Sequence, residues 1–430
     1  MMTVPHLSDD LQTLLGSTAE EIGQATQLIQ RKRAFTASTL AQTFVLGWLQ
    51  NPEATLDELT SLGAVLGVSV SSQALEKRFT PRCAAFLEKL LVRACQLRLH
   101  SPSTPAVFDR FSAVFVLDAS VVRLPDALAS HWQGYGGTHG PQAAVKLNTG
   151  LDLKTGHLQL HLSPAKQHDA ASHLQGAELP AGSLRVTDLG YYDLDQLAHY
   201  QAQGVSWLTR YKVGTGFHDT SGRPVAVEEL LAGTAASEVE LSGFLGTERI
   251  PCRLLAARVN LETAERRRLK LLEQARRKGK AVSQRRLKLA GWTVLVTNAP
   301  ELSLQEALEL YWMRWQIELL FKLWKDQGKV DEWRSENPWR ILCELYAKLL
   351  GCLIQHWLCL GAFWGEVRKS LVKATRVIRK AALGLAIGLR DPDVMRHVLE
   401  TVQRSLSKGC QVNSRRKHPA TWQRLQKSLS

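Results

Sequence analysis

The segment YWMRWQIELLFKLWKDQGKV, residues 311–330, decides how the rest of the chain is interpreted. At about 100° per residue, four residues share one helical stripe about 60° wide: Tyr311, Arg314, Glu318 and Lys325. Apolar residues mostly occupy the opposite side, as in an amphipathic helix. The segment therefore predicts a helix that presents one carboxylate beside an aromatic ring and two cations. Such a face suits a metal bound by the carboxylate and phosphate held by the bases.

The Y-x2-R-x3-E-x6-K spacing of these residues resembles the signature of one family of bacterial insertion-sequence transposases. That family contains cut-and-paste enzymes with an Asp-Asp-Glu (DDE) triad on an RNase H-like fold. Two further segments carry the resemblance. FVLDASVVRLPD (115–126) resembles the first-aspartate strand, with Asp118, and RVTDLGYYDLDQL (185–197) resembles the second-aspartate segment, with Asp188. The resemblance covers roughly residues 56–357 and implies that Glu318 is the third acid.

These three acids have the chemistry that phosphodiester cleavage requires. Two divalent ions about 3.5–4 Å apart activate the attacking oxygen and stabilise the leaving oxygen, and Mg²⁺ favours carboxylate ligands. A single aspartate at a strand end is more often a turn residue or a helix cap, but the joint occurrence of Asp118, Asp188 and Glu318 favours a catalytic triad. We therefore expect them to bind two Mg²⁺ ions per active site, with Mn²⁺ able to substitute.

Other acids near the triad have structural explanations. Asp193 and Asp195 fit the first turn of a helix, where the helix dipole favours acidic residues. Asp169 directly follows His168 and is expected to be a surface or turn residue. These three acids are therefore left out of the predicted site.

The bases and the tyrosine around the triad are candidates for DNA contacts. Arg314 and Lys325 are expected to hold phosphates near the scissile bond, with a salt bridge to Glu318 as the alternative. Tyr311 is expected to donate a hydrogen bond to phosphate, unless it is a core residue. Arg210 is a further predicted DNA-binding residue.

Two tryptophans are candidates for stacking on DNA. In the resembled family, aromatic residues of this region stack on a base flipped from the transposon end, and by position Trp292 and Trp315 are the candidates. Stacking needs an exposed ring, and a core tryptophan is the alternative for each. The family includes members that close a hairpin on the transposon end, and we predict such a hairpin intermediate here.

The charge of the chain indicates a polyanionic partner. The 430 residues include 54 Lys and Arg against 40 Asp and Glu, a net charge of +14, which suits nucleic acid or an anionic membrane. Eleven Lys or Arg lie between Arg266 and Lys288 and predict contact with the DNA backbone, with a solvated helix as the alternative. The charge alone therefore does not distinguish nucleic acid from a membrane surface as the partner.

Hydrophobicity and cysteine usage favour nucleic acid over a membrane. No apolar run reaches the ~18 residues of a membrane span, and the nearest, ILCELYAKLLGCLIQHWLCLGAFWG (341–365), contains polar residues and predicts a buried helix. The seven cysteines are scattered without CxxC pairs, which argues against a disulfide framework or a zinc module. With no secretory pattern at the N-terminus, we expect a cytoplasmic protein that is nucleoid-associated when active.

The order of predicted elements indicates an α/β chain. We expect an RNase H-like catalytic domain that is interrupted by a mainly β insertion domain, with helical N-terminal and C-terminal regions. The predicted domains are a helix-turn-helix-like DNA-binding domain (1–105), the first part of the catalytic core (106–214), the insertion with a basic helix (215–300), the second part of the core with the glutamate helix (301–365), and a basic helical C-terminal region and tail (366–430).

The expected function is that of a DNA transposase. It would bind terminal inverted repeats, pair two ends as a homodimer, cleave with metal and join the 3′ ends to target DNA. One alternative is another RNase H-like nuclease, such as a junction resolvase. The other is a non-catalytic helix-turn-helix DNA-binding protein. The basic insertion and the helical N-terminal domain favour the transposase, and no membrane partner is expected.

Overall fold

The computed structural model describes residues 3–29, 34–99, 101, 106–136, 140–364, 366 and 368–412. Its helices are α1 (Val4–Thr13), α2 (Ala19–Ala25), α3 (Ala37–Gln50), α4 (Leu56–Val65), α5 (Ser72–Glu76), α6 (Pro81–Cys95), α7 (Leu194–Ala202), α8 (Val227–Gly233), α9 (Leu261–Arg277), α10 (Gln284–Leu289), α11 (Leu304–Met313), α12 (Trp315–Asp326), α13 (Pro338–Phe363), α14 (Leu371–Gly388) and α15 (Pro392–Lys408). The predicted basic tail, from residue 413 onward, lies outside the described residues.

The strands are β1 (Val114–Leu124), β2 (Ala143–Asp152), β3 (Leu158–Pro164), β4 (Leu184–Val186), β5 (Ser206–Arg210), β6 (Phe217–Asp219), β7 (Pro224–Val225), β8 (Glu238–Leu245), β9 (Ile250–Arg258) and β10 (Trp292–Thr297). Together with the helices they make the chain an α/β protein with helical N-terminal and C-terminal regions, which confirms the predicted fold class.

The described residues form two compact units. The helical unit comprises those within 1–104, 119–168 and 316–419, and the sheet unit those within 105–118 and 169–315. The boundaries fall inside β1 and α12, so Asp118 and Trp315 belong to the sheet unit. The segment predicted as the insertion lies within the sheet unit.

Helix α13 forms the centre of the helical unit. Its side chains from Ile341 to Leu360 are buried, and it packs against α3, α6 and α15. The length and composition of α13 would allow it to cross a membrane. However, 89% of its most apolar 18-residue stretch is buried in the folded structure, as in the core helix of a folded protein. This confirms the prediction of a buried helix here.

Helices α4 and α5 lie within the N-terminal domain, residues 1–105, that is predicted to be helix-turn-helix-like. The Thr55 hydroxyl accepts a hydrogen bond from the Glu58 amide at 3.2 Å, and Glu58 accepts one from the Thr55 amide at 2.7 Å, which is a capping box. Gly67 turns the chain with φ of +73°, a conformation that favours glycine. The Ser71 hydroxyl caps α5 by accepting from the Ala74 amide at 3.2 Å. DNA reading by this pair stays a prediction.

The sheet unit is built on parallel strands. β1 pairs in parallel with β4, and β4 pairs in parallel with β5. Beyond β5 the order continues as β10, β9, β8, β6 and β7 through antiparallel pairs. In the helical unit, β2 and β3 form an antiparallel pair. Because β10 hydrogen-bonds to β5, the strands of the predicted insertion extend the sheet of the predicted catalytic core.

Strand β1 is longer than the sequence indicates. We expected it to end at Asp118, but it continues to Leu124. The residues after Asp118 include Val121 and Val122, and β-branched side chains favour an extended backbone. Asp118 therefore lies in the middle of a strand rather than at its end.

The helix expected across residues 311–330 is divided in two. Helix α11 ends at Met313 and α12 begins at Trp315. At the break, the Arg314 amide bonds to the Tyr311 carbonyl, three residues back, at 3.3 Å, which tightens the last turn of α11. The predicted stripe is therefore carried by two consecutive helices, with Arg314 at their junction.

Candidate active site

Asp118 on β1 and Asp188 just after β4 occupy matching positions along two neighbouring parallel strands. The pairing of β1 with β4 ends with Val116 opposite Val186, and each aspartate follows two residues later. Neighbouring strands lie about 4.8 Å apart. Strand pairing therefore brings together, within the sheet unit, two acids that are far apart in sequence.

Asp118 forms an ion pair with Arg314 inside the sheet unit. The Arg314 Nη1 lies 2.6 Å from the Asp118 Oδ2, and the exposed fractions of the two side chains are 9% and 17%. Bulk salt screens such a sheltered pair only weakly. The sequence did not indicate this salt bridge to Asp118; the phosphate contact expected of Arg314 and the alternative salt bridge to Glu318 both stay predictions.

Asp188 lies just after β4, at the start of a 3-10 turn (Leu189–Tyr191). Its Oδ1 accepts a hydrogen bond from the Gly190 amide at 2.8 Å. A Cβ at residue 190 would lie 3.0 Å from this oxygen and 3.2 Å from the Oδ2 of Asp169. Glycine therefore allows two carboxylates to approach the same point of the backbone, and Asp169 faces Asp188 across it.

Tyr191 has a buried hydroxyl beside the acids. Its side chain is 2% exposed, and among the described residues its Oη has no hydrogen-bond partner. Burial raises the pKa of Tyr191 most, and the negative charges of Asp169, Asp118 and Asp188 raise it further. Asp169, Asp118 and Asp188 therefore all lie close enough to Tyr191 to disfavour its ionised form.

Tyr311, Arg314 and Arg210 form the basic side of the site in the sheet unit. The guanidinium carbon of Arg314 lies 6.0 Å from the centre of the Tyr311 ring. Burial raises the pKa of Tyr311, whereas the positive charges of Arg314 and Arg210 lower it. Arg210 is exposed at the end of β5. The positive groups thus lie close enough to Tyr311 to influence its hydroxyl.

Glu318 and Lys325 lie on α12 in the helical unit. The Lys325 Nζ donates a hydrogen bond to the Val121 carbonyl of β1 at 2.9 Å. Glu318 is exposed, and it lies seven residues before Lys325, so it shares the Lys325 face to within about 20°. The two residues of the predicted stripe that lie on α12 therefore share one face of this helix, and Lys325 contacts β1.

The two candidate tryptophans differ in exposure. Trp315 is 61% exposed at the start of α12, whereas Trp292 is 3% exposed. Trp292 belongs to the apolar core of the sheet unit, and the guanidinium carbon of Arg258 lies 4.5 Å from its ring centre. The stacking role expected of Trp292 does not fit this structure, because its ring is enclosed. Trp315 has the exposure that stacking requires.

The acids of the site supply the kind of ligand atom that a divalent cation takes. Carboxylate oxygens are the ligands that Mg²⁺ prefers, and the buried Tyr191 hydroxyl, which has no hydrogen-bond partner among the described residues, is a further polar group near them. Among the described residues, no group of three His, Cys, Asp or Glu side chains is already gathered at ligand distance. The donor chemistry therefore fits a hard cation, with Asp118 bound to Arg314 in this conformation.

Sequence reasoning missed two residues of this cluster. Asp169 was expected to be a surface or turn residue; it does lie in a 3-10 turn (Asp169–Ala171), but its carboxylate faces Asp188. Tyr191 follows Asp188 by three residues and was not singled out. The position of Asp169 directly after His168, in the segment before β4, was the available signal.

Comparison with known proteins is consistent with this geometry. Residues 109–354, more than half of the chain, match a family described as "Transposase DDE domain". The transposase for insertion sequence element IS231E of Bacillus thuringiensis subsp. finitimus is 26% identical over 375 residues, which cover 80% of this chain and 77% of that protein. The matched range contains Asp118, Asp188 and Glu318.

Two further relatives are also transposases for insertion sequence elements. The transposase for IS231F of Bacillus thuringiensis subsp. israelensis is 27% identical over 363 residues, which cover 78% of this chain and 76% of the relative. The transposase for IS1151 of Clostridium perfringens is 23% identical over 361 residues, with coverage of 78% and 76%. The similarity thus extends well beyond the matched domain.

Proposed function

The chain belongs to the DDE transposases of insertion sequences, and from this premise we propose that it binds the ends of a mobile element, cleaves the DNA there and joins the 3′ ends to target DNA. The strongest support is the position of Asp118 and Asp188 at matching points of β1 and β4, with Arg314 against Asp118. Acids beside a base that can bind phosphate suit phosphodiester chemistry.

We propose that Asp118, Asp188 and Glu318 form the catalytic triad and hold two Mg²⁺ ions, for which Mn²⁺ can substitute. DDE transposases generally use divalent metal ions. When bound, such ions activate the attacking oxygen and stabilise the leaving oxygen. The carboxylates of β1 and β4 supply hard oxygen ligands, and the hydrogen bond from Gly190 orients Asp188 toward this role.

The basic residues are proposed to hold the DNA backbone. Arg314, Lys325 and Arg210 would contact phosphates, and Tyr311 would donate a hydrogen bond to one. Helix α9 carries the basic run of the sheet unit, and its side chains are largely exposed, so it is a further candidate for backbone contact. Its charge is available to solvent and hence to DNA.

Alanine at Arg314 or Lys325 is expected to weaken binding of the cleaved end and to flatten its salt dependence. Each lost phosphate contact reduces the slope of log affinity against log salt by about one. Fluorescence anisotropy at several salt concentrations measures this slope. Arg404→Ala, at an exposed position of α15, is the matched control. An unchanged slope for Arg314→Ala would mean that Arg314 makes no phosphate contact and only forms the ion pair with Asp118.

Trp315→Ala is expected to stall the reaction after the first nick, before a hairpin closes on the element end. Stacking on a flipped base contributes about 1–3 kcal/mol and would offset the distortion of a tight hairpin. Denaturing gels resolve nicked, hairpin and fully cut DNA. Trp315→Phe keeps a ring and should restore the hairpin. Double-strand breaks without any hairpin, at equal rates in wild type and Trp315→Ala, would refute this pathway.

The proposed partners are element ends that carry terminal inverted repeats, target DNA and a second copy of the chain. Nicking of end-bearing duplex separates an enzyme from a regulator that only binds DNA, and transfer of the nicked strand to a second duplex separates a transposase from a nuclease. Light scattering should show a dimer holding two ends; full activity from one protomer on one end would contradict this. We place this activity in the cytoplasm, on the nucleoid.

A further inference from the structure

The segment that carries Asp169 is fastened to the turn that carries Asp188. The Gln175 side chain donates a hydrogen bond to the Tyr191 carbonyl at 2.9 Å. Leu174 packs with Leu117 and Tyr191 in a small apolar cluster. These contacts lie within the sheet unit and attach the residues after Asp169 to both β1 and the turn after β4. Core packing therefore holds the segment that follows Asp169 against these two elements.

Asp169 and Asp188 approach one point of the backbone from two sides. Their carboxylate oxygens lie 3.2 Å and 3.0 Å from the position that a Cβ of Gly190 would occupy. Because both distances run to the same point, the two oxygens lie at most about 6 Å apart, and two negative charges at that separation repel each other by roughly 0.7 kcal/mol in water and by more where the site is sheltered. Such a pair becomes favourable when a cation lies between or beside the carboxylates.

The buried hydroxyl of Tyr191 is an independent sign that this cluster receives a ligand. At 2% exposure its Oη has no hydrogen-bond partner among the described residues, and an unmet buried hydroxyl costs about 1–3 kcal/mol. The charges of Asp169, Asp118 and Asp188 all reach this group. A hydrated cation between these acids would bring water oxygens that the hydroxyl could hydrogen-bond.

We propose that Asp169 is a fourth acidic residue of the active site, which raises the affinity for the divalent cation through a water-mediated contact. This inference rests on the proposed function, in which Asp118 and Asp188 are direct ligands. Mg²⁺ usually takes one or two carboxylates directly and keeps several waters. Groups that bind such waters commonly change metal affinity by about 10–100-fold.

The test is equilibrium binding of Mn²⁺ alone to the full chain without DNA, measured by electron paramagnetic resonance of free Mn²⁺. Asp169→Asn should raise the Mn²⁺ dissociation constant about tenfold or more, with an unchanged melting temperature. Asp195→Asn is the matched control, since Asp195 is an exposed acid in the first turn of α7 and should bind like wild type. Should the Asn variant fail to fold, Asp169→Ser removes the same charge and is compared in the same way.

The arms of the experiment separate this inference from the proposed function. Weaker Mn²⁺ binding by Asp188→Asn together with wild-type binding by Asp169→Asn overturns the role of Asp169 and leaves the triad standing. Wild-type binding by Asp118→Asn and Asp188→Asn overturns the proposed metal site and this inference with it. Weaker Mn²⁺ binding by Asp169→Asn and Asp188→Asn, but not by Asp195→Asn, supports both the proposed metal site and the role of Asp169.

Discussion

Asp118→Asn, Asp188→Asn or Glu318→Gln is expected to reduce DNA cleavage by about 10³-fold or more and to leave binding of the element ends largely intact. A metal ligand supplies several kcal/mol of charge stabilisation in the transition state, and each 1.36 kcal/mol is about tenfold in rate. DNA contacts away from the acids are untouched by these isosteric changes. A gel shift and a nicking assay on the same preparations measure the two effects.

The control for these variants is Asp195→Asn, which removes an exposed acid from the first turn of α7. It should bind and nick like wild type. Normal nicking by one of the three variants would remove that residue from the triad. Loss of end binding together with cleavage would instead point to a structural role for that carboxylate.

Lys348→Met is expected to destabilise the protein by about 3–5 kcal/mol, because it leaves the Glu344 carboxylate buried without its cation. Both residues are 3% exposed in α13, and the Lys348 Nζ lies 2.8 Å from the Glu344 Oε1. The Lys348 Nζ also donates hydrogen bonds to the backbone carbonyls of Lys329 at 2.9 Å and Glu332 at 2.7 Å. Urea unfolding midpoints measure the loss of stability.

Two comparisons make this second prediction specific. Glu344→Leu combined with Lys348→Met should recover much of the stability, since replacing a buried ion pair by apolar residues is often neutral. Recovery will be incomplete because two carbonyls lose their donor. Lys329→Ala removes a more exposed pair with Glu332 and should cost less than about 1 kcal/mol. Equal losses for Lys348→Met and Lys329→Ala would contradict the buried-pair argument.

The buried ion pair of α13 also holds the helix that carries Glu318 and Lys325. Burial raises the pKa of Glu344 and lowers that of Lys348, so the interior opposes both charges and their attraction offsets this. Lys348 binds the backbone just after α12. The lysine thereby fastens the end of the helix that carries Glu318 and Lys325 to the core of the helical unit.

Local patterns were sufficient for much of the fold. The motif around Asp118 predicted a strand that includes this residue. Polar interruptions in 341–365 predicted a buried helix. These features depend on neighbours within a few residues, so the linear sequence contains them. The motifs around Asp118, Asp188 and Glu318 likewise indicated a family that the comparisons then showed.

Local sequence patterns could not predict the contacts between distant segments. Helical spacing placed Arg314 beside Glu318, but it gave no sign that the guanidinium pairs with Asp118 on β1. Position in sequence made Trp292 and Trp315 equal candidates, yet strand β10 is buried and α12 begins at the surface. Exposure depends on which elements pack over a ring, and no local pattern records that.

The sequence by itself determined the chemistry: the acids, the bases and the family to which they belong. Tertiary structure alone decided which groups meet. It paired Arg314 with Asp118, enclosed Trp292, and turned Asp169 toward Asp188 across a glycine. The physical reason is that residue type sets what a side chain can bind, whereas the packing of distant segments sets its neighbours, its burial and the charges that act on it.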